Sequence, residues 1–177
     1  MTAAATTTTA TTAGTTSDER ADLLQTLQAH RAFLRVTVQG LTDDQARQRT
    51  TVSELTLGGL VKHVAGTEGS WVRFAQHGAD AFVQDEQGWA DAVALTADET
   101  LEQVLADYDR VASLTDQLVA EHPDLDVAHP LPEAPWFAPG ASWSVRRVLL
   151  HVIAETAQHA GHADILRESL DGQRTMG

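Results

Sequence analysis

The sequence predicts an all-α protein, a four-helix bundle with long connections between its helices. Three observations carry this expectation. Apolar residues recur at three- and four-residue intervals in four separate stretches, strand-like alternation never exceeds a few residues, and all five prolines fall in one connection between the last two stretches. A length of 177 residues fits one core with attached segments.

Residues 2–16 are Thr, Ala and a single Gly, with no side chain large enough to anchor a core. Residues 1–16 therefore read as a disordered tail, and residues 17–177 as the bundle domain. Ser17, followed by Asp18 and Glu19, supplies a cap and two acids where a helix start favours negative charge. Leu23, Leu24, Leu27, Phe33, Leu34 and Val38 then extend a first helix over about residues 18–39, up to Gly40. A second begins after Ser53 or Thr56 and carries Leu57, Leu60, Val61, Val64, Trp71 and Phe74 to about His77, with Gly78 as the stop. Thr96 and Glu99 match a capping box for a third, built on Leu101, Val104, Leu105, Tyr108, Val111 and Leu118. Ser142 is the expected cap of a fourth, running from Trp143 to about Leu170 before Asp171-Gly172. Trp89 lies in the connection between the second and third helices.

Composition removes whole classes of function. Asp and Glu number 25 against 12 Lys and Arg, a formal charge of -13 that repels phosphate backbones and anionic membranes, so neither nucleic acid nor membrane is expected as a partner. Cysteine is absent, so there is no disulfide, thiolate metal site or cysteine nucleophile, and any metal must sit on His and carboxylates. No apolar run approaches membrane-spanning length and no secretory signal pattern opens the chain, which leads to an expected cytoplasmic location. The phosphate-loop, dinucleotide-binding and serine-hydrolase motifs are missing as well.

The chemistry concentrates in the fourth helix. Residues 148–163 read VLLHVIAETAQHAGHA, and Glu155 is the only formally charged residue among them. A carboxylate in such surroundings is costly to bury unless something positive meets it. Glu155 and His159 are i,i+4, hence on one face. At about 100° per residue, His151, Glu155, His159 and His162 fall within a stripe of roughly 80°. His63 of the second helix sits on the side of Leu60 and faces inward. Facing helices of a bundle can deliver ligands into a core, and His63 with Glu155 and His159 would make a His₂Glu set with an open position, suited to Zn²⁺ or another divalent transition ion. A hydrogen-bonded core histidine and a local Glu–His pair fit the same spacings, and the mutual placement of the two helices decides between the readings.

Two segments, LTLGGLVKHVAGTEGSW and SWSVRRVLLHVIAETAQHAGHADILRESLDG, resemble the signature segments of the DinB-like superfamily, most closely its DUF664 or mini-circle-type branch. The resemblance spans about residues 20–172 and is densest in the string H-x-x-x-E-x-x-x-H-x-x-H around Glu155. It implies a four-helix bundle of the DinB-like type, a homodimer, and a metal held by three side chains from two helices. Glu155 stands where many relatives have histidine, which is similar to the mycothiol-dependent maleylpyruvate isomerases. Position by position, the implied ligands are His63, Glu155 and His159, with His162 and His151 as pocket-lining or supporting residues; catalytic residues are not implied.

The function implied is a metal-dependent enzyme acting through a low-molecular-weight thiol, an S-transferase or isomerase of the mycothiol type, with Zn²⁺ or Ni²⁺ as the ion. Lys62 is the single lysine, a bias of GC-rich coding that favours mycothiol over bacillithiol as co-substrate. A metal-dependent hydrolase and a non-catalytic metal- or small-molecule-binding bundle are the alternatives. Trp71 reads as core. Trp89, Trp136 and Trp143 either roof a pocket or pin loops to the bundle, the second being favoured. Arg146 and Arg147 either pair with acids or meet an anionic substrate, surface pairing being favoured, while Arg167 and Glu168 are expected to be solvated and Glu68 to point away from the ligand set.

Overall fold

The computed structural model describes residues 15–82 and 94–175, with side chains from residue 19 onward. Its long helices are α1 (Thr15–Val38), α3 (Leu57–His77), α4 (Leu101–Glu121) and α5 (Val145–Asp171), joined by a short α2 (Asp43–Arg47) and a 3₁₀ turn at Ala79–Ala81. The expected all-α bundle is present. α3 packs against both α4 and α5, and α1 lies along α5, so the second and fourth expected helices are neighbours. One half of the core gathers Leu34, Leu60, Val64, Tyr108 and Ala163. The other gathers Trp71, Phe74, Leu118, Val148 and Val152, and confirms Trp71 as core. Among the described residues no helix is long and apolar enough to cross a membrane.

Several helix starts differ from expectation, each for a local reason. α1 is described from Thr15, so Ser17 lies inside the helix and is not its cap, and Thr15 and Thr16 are both compatible with helix. The rest of the expected tail, residues 1–14, lies outside the described residues, as does Trp89. Thr96 and Glu99 do bond, with Glu99 Oε2 accepting from Thr96 N at 2.9 Å and Oγ1 at 3.0 Å, but they form a turn ahead of the helix. The capping box of α4 is one turn later, between Thr100 and Gln103. Glu99 also meets Lys62 at 2.8 Å, which fastens this turn to α3. Asp43 Oδ1 in α2 accepts from Leu101 N at 2.8 Å and gives the same helix end a second acceptor.

The expectation of helix alone needs one addition. Ala128–Pro130 (β1) pairs antiparallel with Ser142–Ser144 (β2), in the register Ala128↔Ser144, His129↔Trp143 and Pro130↔Ser142. Ser142 is thus a strand residue. The cap of α5 is Ser144, whose side chain accepts from Arg147 N at 3.1 Å. A two-stranded ribbon tolerates Pro130 because each strand keeps an open edge. Its effect is to fix Trp143 at the entrance to α5, beside the end of α3.

Arg167 corrects another expectation. It is 4% exposed, donates to the carbonyls of Thr37 at 3.0 Å and Gln39 at 2.9 Å, and pairs with Asp171 at 2.9 Å. The carbonyls that α1 leaves unsatisfied at its C-terminal end draw this guanidinium inside. Glu168 is exposed, as expected.

Candidate metal centre

The side chain of Thr56 accepts from Gly59 N at 3.1 Å and fixes the start of α3. His63 follows one turn further along, on the side of α3 that meets α5. From α5, Glu155 and His159 project on the same face one turn apart. Each of the three residues is half-buried, and one donor atom from each lies within 4.8 Å of the other two. The His63 and His159 rings meet edge to face with centroids 4.8 Å apart. Glu155 Oε2 is 3.5 Å from His159 Nε2, and no arginine or lysine pairs with this carboxylate among the described residues.

The supporting histidines have different positions. His151 Nε2 is 3.8 Å from Glu155 Oε1, and its ring stands edge-on to Trp71 at 4.9 Å and to Trp143 at 5.0 Å. His162 is exposed, with Nδ1 3.4 Å from His159 Nδ1. The two nitrogens of the His159 ring therefore face different partners. A bond at Nδ1 sets the tautomer and ring angle that direct Nε2 towards the carboxylate.

Burial holds the pKa values of His63 and His159 below the ordinary imidazole value, with the neighbouring Glu155 carboxylate opposing the shift only in part. His63 also lowers His159, and burial lowers His151 in the same direction. Both candidate ligand imidazoles are consequently neutral at pH 7, the form that offers a lone pair to an ion.

Trp143 stacks on Trp71, with centroids 4.7 Å apart and planes at 17°, and Phe82 and Phe137 meet Trp71 edge-on. These contacts pin the loops to the bundle, as favoured from the sequence. Trp136 points into solvent with 78% of its surface exposed. The paired arginines divide: Arg146 pairs with Glu19 and Asp126, whereas Arg147 lies over the Trp143 ring with its guanidinium carbon 4.6 Å from the centroid.

Sequence reasoning missed a buried network. Glu68 is 1% exposed and accepts from Arg31 and from the Thr115 hydroxyl, and Arg31 also pairs with Asp116 at 2.8 Å. This cluster joins α1, α3 and α4 and lies apart from the His63 side of α3. The signal was present: Arg31 stands between Leu27 and Leu34, and Glu68 between Val64 and Val72, each at helical spacing on a buried stripe.

A bundle that brings His, Glu and His together from two neighbouring helices belongs to the DinB-like class. Within it, the chain belongs to the mycothiol-S-transferase family, whose model matches residues 22–172. Among solved structures, one described as a conserved protein from Enterococcus faecalis shares the fold with a TM-score of 0.66 at 14% identity, over 86% of this chain and 97% of that one. No curated protein matches the chain in sequence.

Proposed function

We propose that this chain is a metal-dependent enzyme that transfers or isomerises through a low-molecular-weight thiol of the mycothiol type, with His63, Glu155 and His159 as the metal ligands. The observation that carries the reading is the convergence of three donor atoms within 4.8 Å in a chain of the mycothiol-S-transferase family. The residues fit a divalent ion. Ligand atoms around tetrahedral zinc stand about 3.4 Å apart, a contraction within reach of small side-chain rotations. Two neutral imidazoles and one carboxylate would leave a bound dication one net positive charge, which favours the thiolate, the nucleophilic form of a thiol. His162 orients His159 through Nδ1, and His151 supports Glu155 against the Trp71–Trp143 stack. Zn²⁺ or Ni²⁺ suits the donor set, since no soft thiolate restricts it. A bundle domain over residues 17–177, a cytoplasmic location and a homodimer complete the proposal.

Purified protein reconstituted with Zn²⁺ is expected to hold about one ion per chain by elemental analysis, because the triad supplies one open site. His63→Ala and His159→Ala should each abolish tight binding while circular dichroism shows the helices intact. Protons compete for the same nitrogens, so zinc should be lost progressively as pH falls below the lowered imidazole pKa values. In the metal-free protein the lowered imidazole pKa values contribute stability that is complete above about pH 6.5, where the unfolded residues are also neutral, and is lost as pH falls towards the folded values. The two alanine variants should show a smaller acid-induced fall in melting temperature than the parent. Less than a tenth of an equivalent for every ion tried would remove the site. Turnover of an electrophile with mycothiol and metal separates an enzyme from a bundle that only binds.

Sedimentation at micromolar concentration is expected to give twice the chain mass, and a clean monomer would remove dimerisation from the proposal.

A further inference from the structure

The proposed thiol reaction needs a second substrate, and the surroundings of the triad bear on its chemistry. The protein carries a formal charge of -13, so an anionic substrate meets general repulsion unless a local cation offsets it. Most of the described basic side chains are already matched to carboxylates. Three arginines are not: Arg20 donates to the carbonyls of Val119 and His122, Arg73 to the Ser70 hydroxyl, and Arg147 lies on Trp143. Only Arg147 stands on the row that also carries the candidate ligands, since residues 147, 151, 155 and 159 follow one another at i,i+4 along α5.

The row is physically continuous. Arg147 covers Trp143, Trp143 stacks on Trp71, both rings meet His151, and His151 reaches to 3.8 Å from Glu155. A guanidinium held over an indole can keep N–H groups free for a planar, bidentate acceptor. Its neighbour Arg146 is neutralised by two acids and offers no such edge.

We propose that Arg147, held over Trp143, receives the carboxylate of an organic-acid co-substrate whose reacting end lies at the His63–Glu155–His159 cluster. This rests on the thiol-transfer reading above and adds the substrate class to it. A carboxylate is favoured over phosphate because one guanidinium fork matches a single planar anion, whereas a phosphate dianion collects several donors. Helix rise separates Arg147 from Glu155 by about two turns, roughly 12 Å along α5, and from His159 by about three turns, roughly 18 Å, so the acid must be an extended one.

The test uses the full chain after dialysis against a chelator, so that no ion competes for the carboxylate, with benzoate as the probe and benzyl alcohol and inorganic phosphate as controls. The indole N–H signal of Trp143, assigned with Trp143→Phe, is followed by NMR during titration. A saturable shift with benzoate is expected, at least fivefold weaker in Arg147→Gln and partly restored in Arg147→Lys, with little response to either control. The melting temperature of Arg147→Gln should stay near the parent's, because the side chain is exposed and loses only one exposed cation–π contact. Equal benzoate affinity in parent and Arg147→Gln, or equal response to benzyl alcohol, would overturn the proposal; a stronger response to phosphate would replace carboxylate by phosphate as the ligand class and overturn it too. Zinc uptake by the same proteins separates the two readings. Uptake without benzoate binding removes this subsite alone, whereas benzoate binding at Arg147 without uptake removes the metal reading and with it the co-substrate role.

Discussion

Glu155→Gln is expected to weaken zinc binding by more than the roughly 10–100-fold that follows loss of a hydrogen bond supporting a metal ligand. The amide keeps the shape of the carboxylate, but it loses the charge that offsets a dication and donates its oxygen far more weakly. The metal-free protein should hardly notice the change: Glu155 is partly exposed, faces His151 at 3.8 Å and His159 at 3.5 Å, and both imidazoles have lowered pKa values that leave them neutral at pH 7. Two melting curves with and without zinc therefore carry the test. The parent should gain melting temperature on adding zinc, through binding to the folded state alone, and Glu155→Gln should lose most of that gain. An unchanged zinc response would make Glu155 a structural acid and would remove it from the ligand set.

Glu155 also illustrates which parts of the protein are legible in a sequence. Its relation to His159 is local, fixed by the helical repeat, and so follows from spacing alone. His63 is brought to the pair by the packing of α3 against α5, which no periodicity encodes; the resemblance to DinB-like proteins supplied it, and the structure places the three donors together. Helices were readable because their apolar stripes are long. Their starts were less so, since Thr96–Glu99 and Thr100–Gln103 offer two capping patterns a turn apart, and tertiary bonds from Lys62 and Asp43 accompany the later start. The Thr42–Gln45 box of α2 is present in the sequence, but five residues carry no apolar stripe to mark a helix. Arg167 was read as solvated for a different reason: a cation near a helix end usually is, and only the approach of the end of α1 makes its interior position favourable.

The same default hid Arg31 and Glu68, and it makes Arg31→Met the substitution with the largest expected cost in stability. Removing the guanidinium leaves the Glu68 carboxylate 1% exposed, with the Thr115 hydroxyl as its remaining described donor. Stranding one member of a buried ion pair typically costs about 3–5 kcal/mol. Asp116 loses the same partner, but its side chain is 38% exposed and can turn to water, so Asp116→Asn should cost under about 1 kcal/mol. Arg31→Met combined with Glu68→Leu should recover most of the loss, since two apolar side chains of similar size need no desolvated charge to be balanced. Urea unfolding of the metal-free protein reads all three, and the ordering matters more than any one value. Zinc uptake should survive in each variant that folds, because the network sits away from the His63 face of α3. If Arg31→Met alone costs no more than Asp116→Asn, water reaches Glu68 in solution, and the pair cannot be what fixes α1 against α3.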